Sequence, residues 1–293
     1  MSGIQGLLCP IAMMTFTSPN LDYVESRYEQ YLGYEVRAEG IISEELAKSW
    51  GAPNTEGRRY LLLGPESGDR TYLRVIEAPA TETSVKPIHT YGWTTAEIIV
   101  RDAYTLSARL KNSPFEEETA NRVIRLNFTD HITNFRVVGP DGEAMYLSQI
   151  DGEVPNLPLN KAESFVDEII MTVNTSKDPS AAREFYEKLF NVPALAPFGV
   201  GERKLNIVPL PEGCLVEIDP PADDTAERPV ARGELPPGMA MTTYYMESLD
   251  RDDVEFIKAP RIYEEAPYVR RRAATIRGPS GELIELIEFK MQP

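Results

Sequence analysis

Imidazole, thiol and positive charge are all scarce in this chain. Its 293 residues include two histidines, His89 and His131, two cysteines, Cys9 and Cys214, and 30 basic residues against 46 acidic ones. Two imidazoles, both in the first half, do not furnish the several nitrogen ligands that most catalytic iron and zinc sites use. The cysteines lie far apart and form no metal or redox motif, so they read as two reduced, buried thiols of a cytoplasmic protein. A net charge of −16 repels phosphate backbones and anionic bilayers, which argues against a nucleic-acid or membrane partner. No stretch approaches the roughly 18 uninterrupted apolar residues of a membrane span. The N-terminus has no basic segment ahead of its short apolar run, so no signal peptide is expected. There is no Gly-x-Ser-x-Gly elbow, no His-Glu-x-x-His and no nucleotide fingerprint, and Gly199-Val-Gly201 is too sparse for a phosphate loop.

What is present is a soluble, globular composition, 42% hydrophobic and 26% charged, long enough for two ordinary domains. One pattern occurs four times: an apolar strand, a helix, then strands closing at a turn. The first stretch begins with the strand Ile11–Thr17. Ser18-Pro19-Asn20 supplies capping residues, Leu21, Val24, Tyr28 and Leu32 follow at helical spacing, and Gly33 ends the helix. Tyr60–Gly64 and Thr71–Glu77 read as a hairpin. The second stretch starts at Trp93–Val100, with a helix from Asp102 through Leu106 and Leu110 and closing strands over Phe135–Leu147. The third starts at Phe165–Val173 and has the clearest helix, with Asp178 as N-cap, Pro179 at the first position, and Ala182, Phe185, Tyr186 and Leu189 on one face. The fourth runs from Met241–Met246 through a helix expected near Asp253–Lys258 to Ile276–Ile287.

Two internal echoes support a repeat. Gly139-Pro-Asp-Gly-Glu-Ala-Met-Tyr-Leu147 matches Gly278-Pro-Ser-Gly-Glu-Leu-Ile-Glu-Leu286, and Tyr28-Glu-Gln-Tyr-Leu32 matches Tyr186-Glu-Lys-Leu-Phe190. Polar, proline-containing connectors cover 78–91, 151–163 and 219–238. The expected fold is α+β, with four βαβββ modules paired into two cupped mixed sheets. The expected domains are residues 1–150 and 164–293, with 151–163 as linker.

With Asp167-Glu-Ile-Ile-Met-Thr-Val173, the Phe185-Tyr186 helix and the Gly278-Pro-Ser-Gly281 hairpin in place, nearly the whole chain resembles the vicinal oxygen chelate superfamily. That group includes glyoxalase I, extradiol dioxygenases and bleomycin-resistance proteins. The length and four-module layout look most like the two-domain dioxygenases. The resemblance implies metal ligands on the first strand of each module and on the last strand, after the Gly-Pro-x-Gly turn. In the second half those positions read Glu168, Glu217, Thr243 and Glu285; in the first half they read Pro10, Arg74, Thr95 and Tyr146. The first half is therefore expected to be non-catalytic.

The missing imidazoles argue against conventional ring cleavage and against zinc or nickel glyoxalase chemistry. A carboxylate set suits Mg²⁺, Mn²⁺ or Ca²⁺, or no metal at all. The leading expectation is a lyase or isomerase acting on an oxygen-rich or aromatic small molecule. Glu285 and Glu168 would be the catalytic groups, Glu168, Glu217 and Glu285 the metal-binding set, and Thr243 and Tyr245 the substrate contacts. The bland alternative for Glu285 is a carboxylate satisfied by an arginine. Tyr245 would otherwise be a core tyrosine. Arg270-Arg-Arg272 reads as locally ion-paired, His89 as a loop residue, and His131 and Asp130 as neighbours on opposite faces of a strand. Two rival functions stay open: a metal-free binding or sequestering protein, and an extradiol-type dioxygenase. A homodimer is compatible with the sequence and is not specified by it.

Overall fold

The computed structural model describes residues 9–68, 70–79, 86–117, 123–126, 129–155, 157, 159–200 and 203–289. Four modules follow one another. The first has strand β1 (Ile11–Ser18), helix α1 (Leu21–Arg27) extended by a π-helical turn (Tyr28–Leu32), β2 (Glu35–Ile41), α2 (Glu44–Ser49), β3 (Arg59–Gly64) and β4 (Tyr72–Glu77). The second has β5 (Gly92–Val100), α3 (Ala103–Leu110), the short β6 (Glu116–Glu117) and β7 (Ile124–Arg125), β8 (Ile132–Val138) and β9 (Ala144–Ile150). The third has β10 (Val166–Thr175), α4 (Pro179–Phe190), β11 (Phe198–Val200), β12 (Arg203–Pro209) and β13 (Leu215–Asp219). The fourth has β14 (Met239–Met246), β15 (Arg261–Tyr263), β16 (Arg271–Arg277) and β17 (Leu283–Glu288).

The helix starts follow from side chains that accept the first free backbone N–H groups. Asn20 accepts from Tyr23, Asp102 from Thr105, and Asp178 from Ser180 and Ala181. Gly33 closes the π-turn at φ 73°, a conformation that carries little penalty for glycine. The fourth module departs from expectation, because 252–258 is turn and irregular backbone rather than helix. There the Asp253 carboxylate pairs with Arg251 at 2.6 Å.

In every module the first strand pairs in parallel with the last: β1 with β4, β5 with β9, β10 with β13, and β14 with β17. Modules then join through antiparallel first strands, and here the sequence-based division into 1–150 and 164–293 is corrected. β1 pairs with β14 and β5 with β10. One sheet, in the order β15-β16-β17-β14-β1-β4-β3-β2, unites the first and fourth modules. The other, β11-β12-β13-β10-β5-β9-β8-β6, unites the second and third. The 151–163 connector therefore links neighbours within one sheet, whereas 78–91 and 219–238 cross between sheets. All three connectors have the same polar, proline-containing character, so composition did not separate the two kinds.

Three cores result. The largest holds the buried faces of α1, α3 and α4 together with residues of both sheets, among them Phe16, Trp93, Ile169 and Tyr244. A second, around Trp50, Tyr60 and Tyr268, fills the concave face of the eight-stranded sheet. The third, around Ile99, Ile170, Ile207 and Leu215, lines the concave face of the nine-stranded sheet.

Cys9, just before β1, and Cys214, just before β13, form a disulfide with Cα atoms 5.6 Å apart. This corrects the expectation of two reduced thiols: residues distant in sequence meet because the fold packs the first and third modules together. A cytoplasmic location loses the support those thiols gave it. Among the described residues, no helix is long and apolar enough to cross a membrane.

Candidate active site in the nine-stranded cup

Strand register identifies the equivalent inward positions of the four modules. Each closing-strand residue faces a first-strand partner: Arg74 faces Thr15, Tyr146 faces Glu97, Glu217 faces Val173, and Glu285 faces Thr243. The sheet order places two of these pairs in each cup. Thr243 stands where the sequence comparison put it. Pro10, Thr95 and Glu168 do not, and Thr15, Glu97 and Val173 hold those positions.

The eight-stranded cup is closed by its own side chains. The Glu285 carboxylate accepts four hydrogen bonds: from Trp50 Nε1 at 2.7 Å, Tyr268 at 2.8 Å, Thr243 at 2.8 Å and Arg74 Nη2 at 3.0 Å. Arg74 also donates to Thr15 at 2.9 Å and Tyr268 at 2.8 Å, and its guanidinium lies 4.7 Å from the Trp50 ring centroid. Burial opposes the charge on Arg74, and Glu285 and Tyr268 more than offset it. Every acceptor position of Glu285 is occupied and an arginine holds the facing position. This is a satisfied buried ion pair, the alternative the sequence left open for Glu285.

The three glutamates read as a metal-binding set do not meet. Glu285 lies in one sheet and Glu168 and Glu217 in the other. Glu168, near the start of β10, pairs with Arg70 at 3.1 Å; burial raises its carboxyl and Arg70 pulls it back. Tyr245, part-buried, lies two residues beyond Thr243 on β14 and packs on Phe289 with ring centroids 5.5 Å apart. His89 pairs with Asp224 at 2.8 Å in the connector region. Arg270 and Arg272 are ion-paired, with Glu264 and with Asp250 and Glu288 respectively.

The nine-stranded cup is open. Its cavity of about 170 Å³ is walled by Ile132, Ile170, Met171 and Ile207, among other apolar side chains, with Glu97, Asn134, Tyr146 and Glu217 as the polar members. A second, more polar cavity of about 380 Å³ shares Tyr146 and adds Thr95, Arg136, Thr175 and Asp219. Alternation along β5 turns Ala96 and Ile98 into the main core, and Glu97 and Ile99 into the cup. Burial in this apolar wall pushes the Glu97 carboxyl up to about 7, with the Ser148 hydroxyl pulling the other way. Burial also raises the Tyr146 phenol; Arg136, whose Nη1 reaches its oxygen at 3.4 Å, lowers it, and Glu217 and Asp219 add to the rise.

Glu97 is the residue that sequence reasoning passed over. Its signal is in Thr94-Thr-Ala-Glu-Ile-Ile-Val100, a single charge in an otherwise uncharged strand, two positions after Thr95. Counting by motif stopped one pleat short.

Neither cup presents the four-donor set the resemblance implies: the eight-stranded quartet contains arginine, and the nine-stranded quartet contains valine. Among the described residues no three His, Cys, Asp or Glu side chains cluster as a metal site.

No family model matches this chain. No curated protein matches it either. Solved structures do. Glyoxalase I from Zea mays is similar with a TM-score of 0.64 at 12% identity, over 95% of this chain and 92% of that one. A candidate dioxygenase from Bacillus subtilis is similar with a TM-score of 0.64 at 12% identity, over 96% of this chain and 85% of that one. At that identity the likeness concerns the fold. With four βαβββ modules in two cupped sheets, this chain has the fold of the vicinal oxygen chelate superfamily.

Proposed function

We propose that the nine-stranded cup binds a small, mainly apolar molecule carrying a carbonyl group and moves a proton on it, an isomerase or lyase reaction. The observation that carries this reading is Glu97, whose carboxyl opens into an apolar cavity with its pKa pushed to about 7. A carboxyl poised there takes and returns a proton at neutral pH with similar ease. The carboxylate of Glu97 accepts the proton of a C–H bond beside the carbonyl, and the bond's electron pair passes to the carbonyl oxygen. The Tyr146 hydroxyl and the Asn134 amide on the same wall are the groups available to donate hydrogen bonds to that oxygen. Return of the proton to the opposite face of the same carbon gives the epimer, and departure of a β-substituent with its bonding pair, as the enolate re-forms the carbonyl, gives a lyase product. Glu217 on the same wall is the second carboxylate within the cavity.

The test is hydrogen–deuterium exchange. A panel of aryl and branched-alkyl ketones is incubated with the protein in D₂O, and deuterium at the α-carbon is read by mass spectrometry. Exchange above buffer that is lost in Glu97→Gln, with binding retained by ligand-observed NMR, supports the reading. Ligands that bind equally to both forms with no exchange in either favour a sequestering protein, the second reading, which the branched apolar lining supports.

A further inference from the structure

The run Arg270-Arg-Arg272 divides by face. Arg270 and Arg272 pair with carboxylates, while Arg271 lies over Phe289 with its guanidinium 5.3 Å from the ring centroid. It has no ion-pair partner among the described residues. Arg271, Phe289 and Tyr245 form one side of a cavity of about 300 Å³, and Arg37, Arg70 and Tyr72 contribute to the other. None of Thr15, Arg74, Thr243, Glu285, Trp50 and Tyr268 lines it, and no described carboxylate does.

Two of its arginines are held by groups outside the wall. Arg37 meets Glu35 at 3.1 Å and donates to the Pro65 carbonyl, and Arg70 meets Glu163 at 3.4 Å and Glu168 at 3.1 Å. The segment leading into Arg271 is strained. Val269, 62% exposed, sits at φ +46° and Arg270 at φ +63°, a region β-branched residues rarely enter. Such strain persists where the surroundings fix it, and it recurs beside binding sites. In a chain of net charge −16, three guanidinium groups around three aromatic rings are a local exception.

We propose that this cavity binds a small organic anion with a flat apolar body, an aryl carboxylate being the simplest. The guanidinium forks match a carboxylate in shape and charge, and the rings of Tyr72, Tyr245 and Phe289 pack against the body. The site belongs to the eight-stranded half and stands or falls independently of Glu97.

Calorimetric titration of naphthoate into the full-length protein tests it, with naphthamide and inorganic phosphate as comparison probes. Naphthoate is expected to bind, and the neutral amide to bind more weakly by about tenfold or more. Arg271→Ala and Tyr245→Ala are each expected to weaken naphthoate by about fivefold or more. Both side chains are only part-buried, and melting curves of the variants confirm that they fold. Loss of affinity at higher salt supports the ionic contact. The proposal is overturned by an absence of naphthoate binding, by amide binding as tight as the acid, or by wild-type affinity in folded Arg271→Ala. Displacement of naphthoate by an equal concentration of phosphate also overturns it, since it marks a site indifferent to the ring.

Discussion

Tyr28 donates its phenolic hydrogen to the Glu143 carboxylate over 2.7 Å, and Tyr186 does the same to Glu282 over the same distance. Each contact runs from the helical segment of one module to the hairpin of the next, across the two sheets. Each carboxylate also folds back over its own turn, Glu143 accepting from Asp141 N and Glu282 from Ser280 N. Glycine is required at the head of the turn for this reason. A Cβ at Gly139 would stand 1.9 Å from the Glu143 carboxylate, and one at Gly278 would stand 2.2 Å from that of Glu282. The two echoes in the sequence are the two halves of one repeated contact. Tyr28→Phe or Tyr186→Phe is expected to cost about 1–3 kcal/mol, the penalty for removing a partner of a buried polar group, measured by urea unfolding. Gly139→Ala is expected to cost at least as much.

Stability should fall as pH rises. Burial pushes Glu143 to about 8 and Glu97 to about 7, and raises Glu282 as well. These groups bind protons more tightly folded than unfolded, where carboxyls titrate at about 4.3. Their contribution is therefore complete below that pH and is lost on the way up to about 8. Melting temperature measured from pH 5 to pH 8.5 should decline, and Glu143→Gln should flatten the decline. A temperature that climbs over this range contradicts the assignment.

The Arg74–Glu285 pair is predicted to be structural. Removing one partner strands a buried charge, so Glu285→Leu or Arg74→Met alone should destabilise by about 3–5 kcal/mol. The double variant should recover much of that loss, because both charges leave together. Deuterium exchange into a bound ketone should survive in the double variant. A loss of exchange without a loss of stability would return Glu285 to the catalytic role the sequence suggested.

The disulfide can be counted directly. Thiol titration of the denatured, unreduced protein should find no free thiol, because Cys9 and Cys214 are joined. Reduction should lower unfolding stability by about 2–5 kcal/mol, the range for bridges that close long loops.

Much of the architecture was legible because each module repeats a local pattern: Asn20, Asp102 and Asp178 begin helices, and Gly139 and Gly278 mark hairpins. Which modules share a sheet was not legible, since that depends on how β1 meets β14 and β5 meets β10. The site was half legible. Pleat parity found Thr243 opposite Glu285, and Glu217 lies on the wall of the open cup. Motif matching placed the first-strand positions too early, at Thr95 where Glu97 faces Tyr146 and at Glu168 where Val173 faces Glu217. A motif does not say how far along a ten-residue strand such as β10 the closing strand pairs. The arginine–glutamate pair that closes one cup and the cavity left in the other are long-range outcomes. In the closed cup the Glu285 carboxylate is completed by Trp50 and Tyr268, side chains outside the repeated motif.

The most direct test of the proposed site is the protonation of Glu97 itself. The carboxyl carbon of Glu97, assigned by comparison with Glu97→Gln, is followed by ¹³C NMR from pH 4 to pH 9. A midpoint near 7 is predicted. A midpoint near 4.3, the ordinary glutamate value, would mean a solvated carboxylate and would contradict the proposed acid–base role.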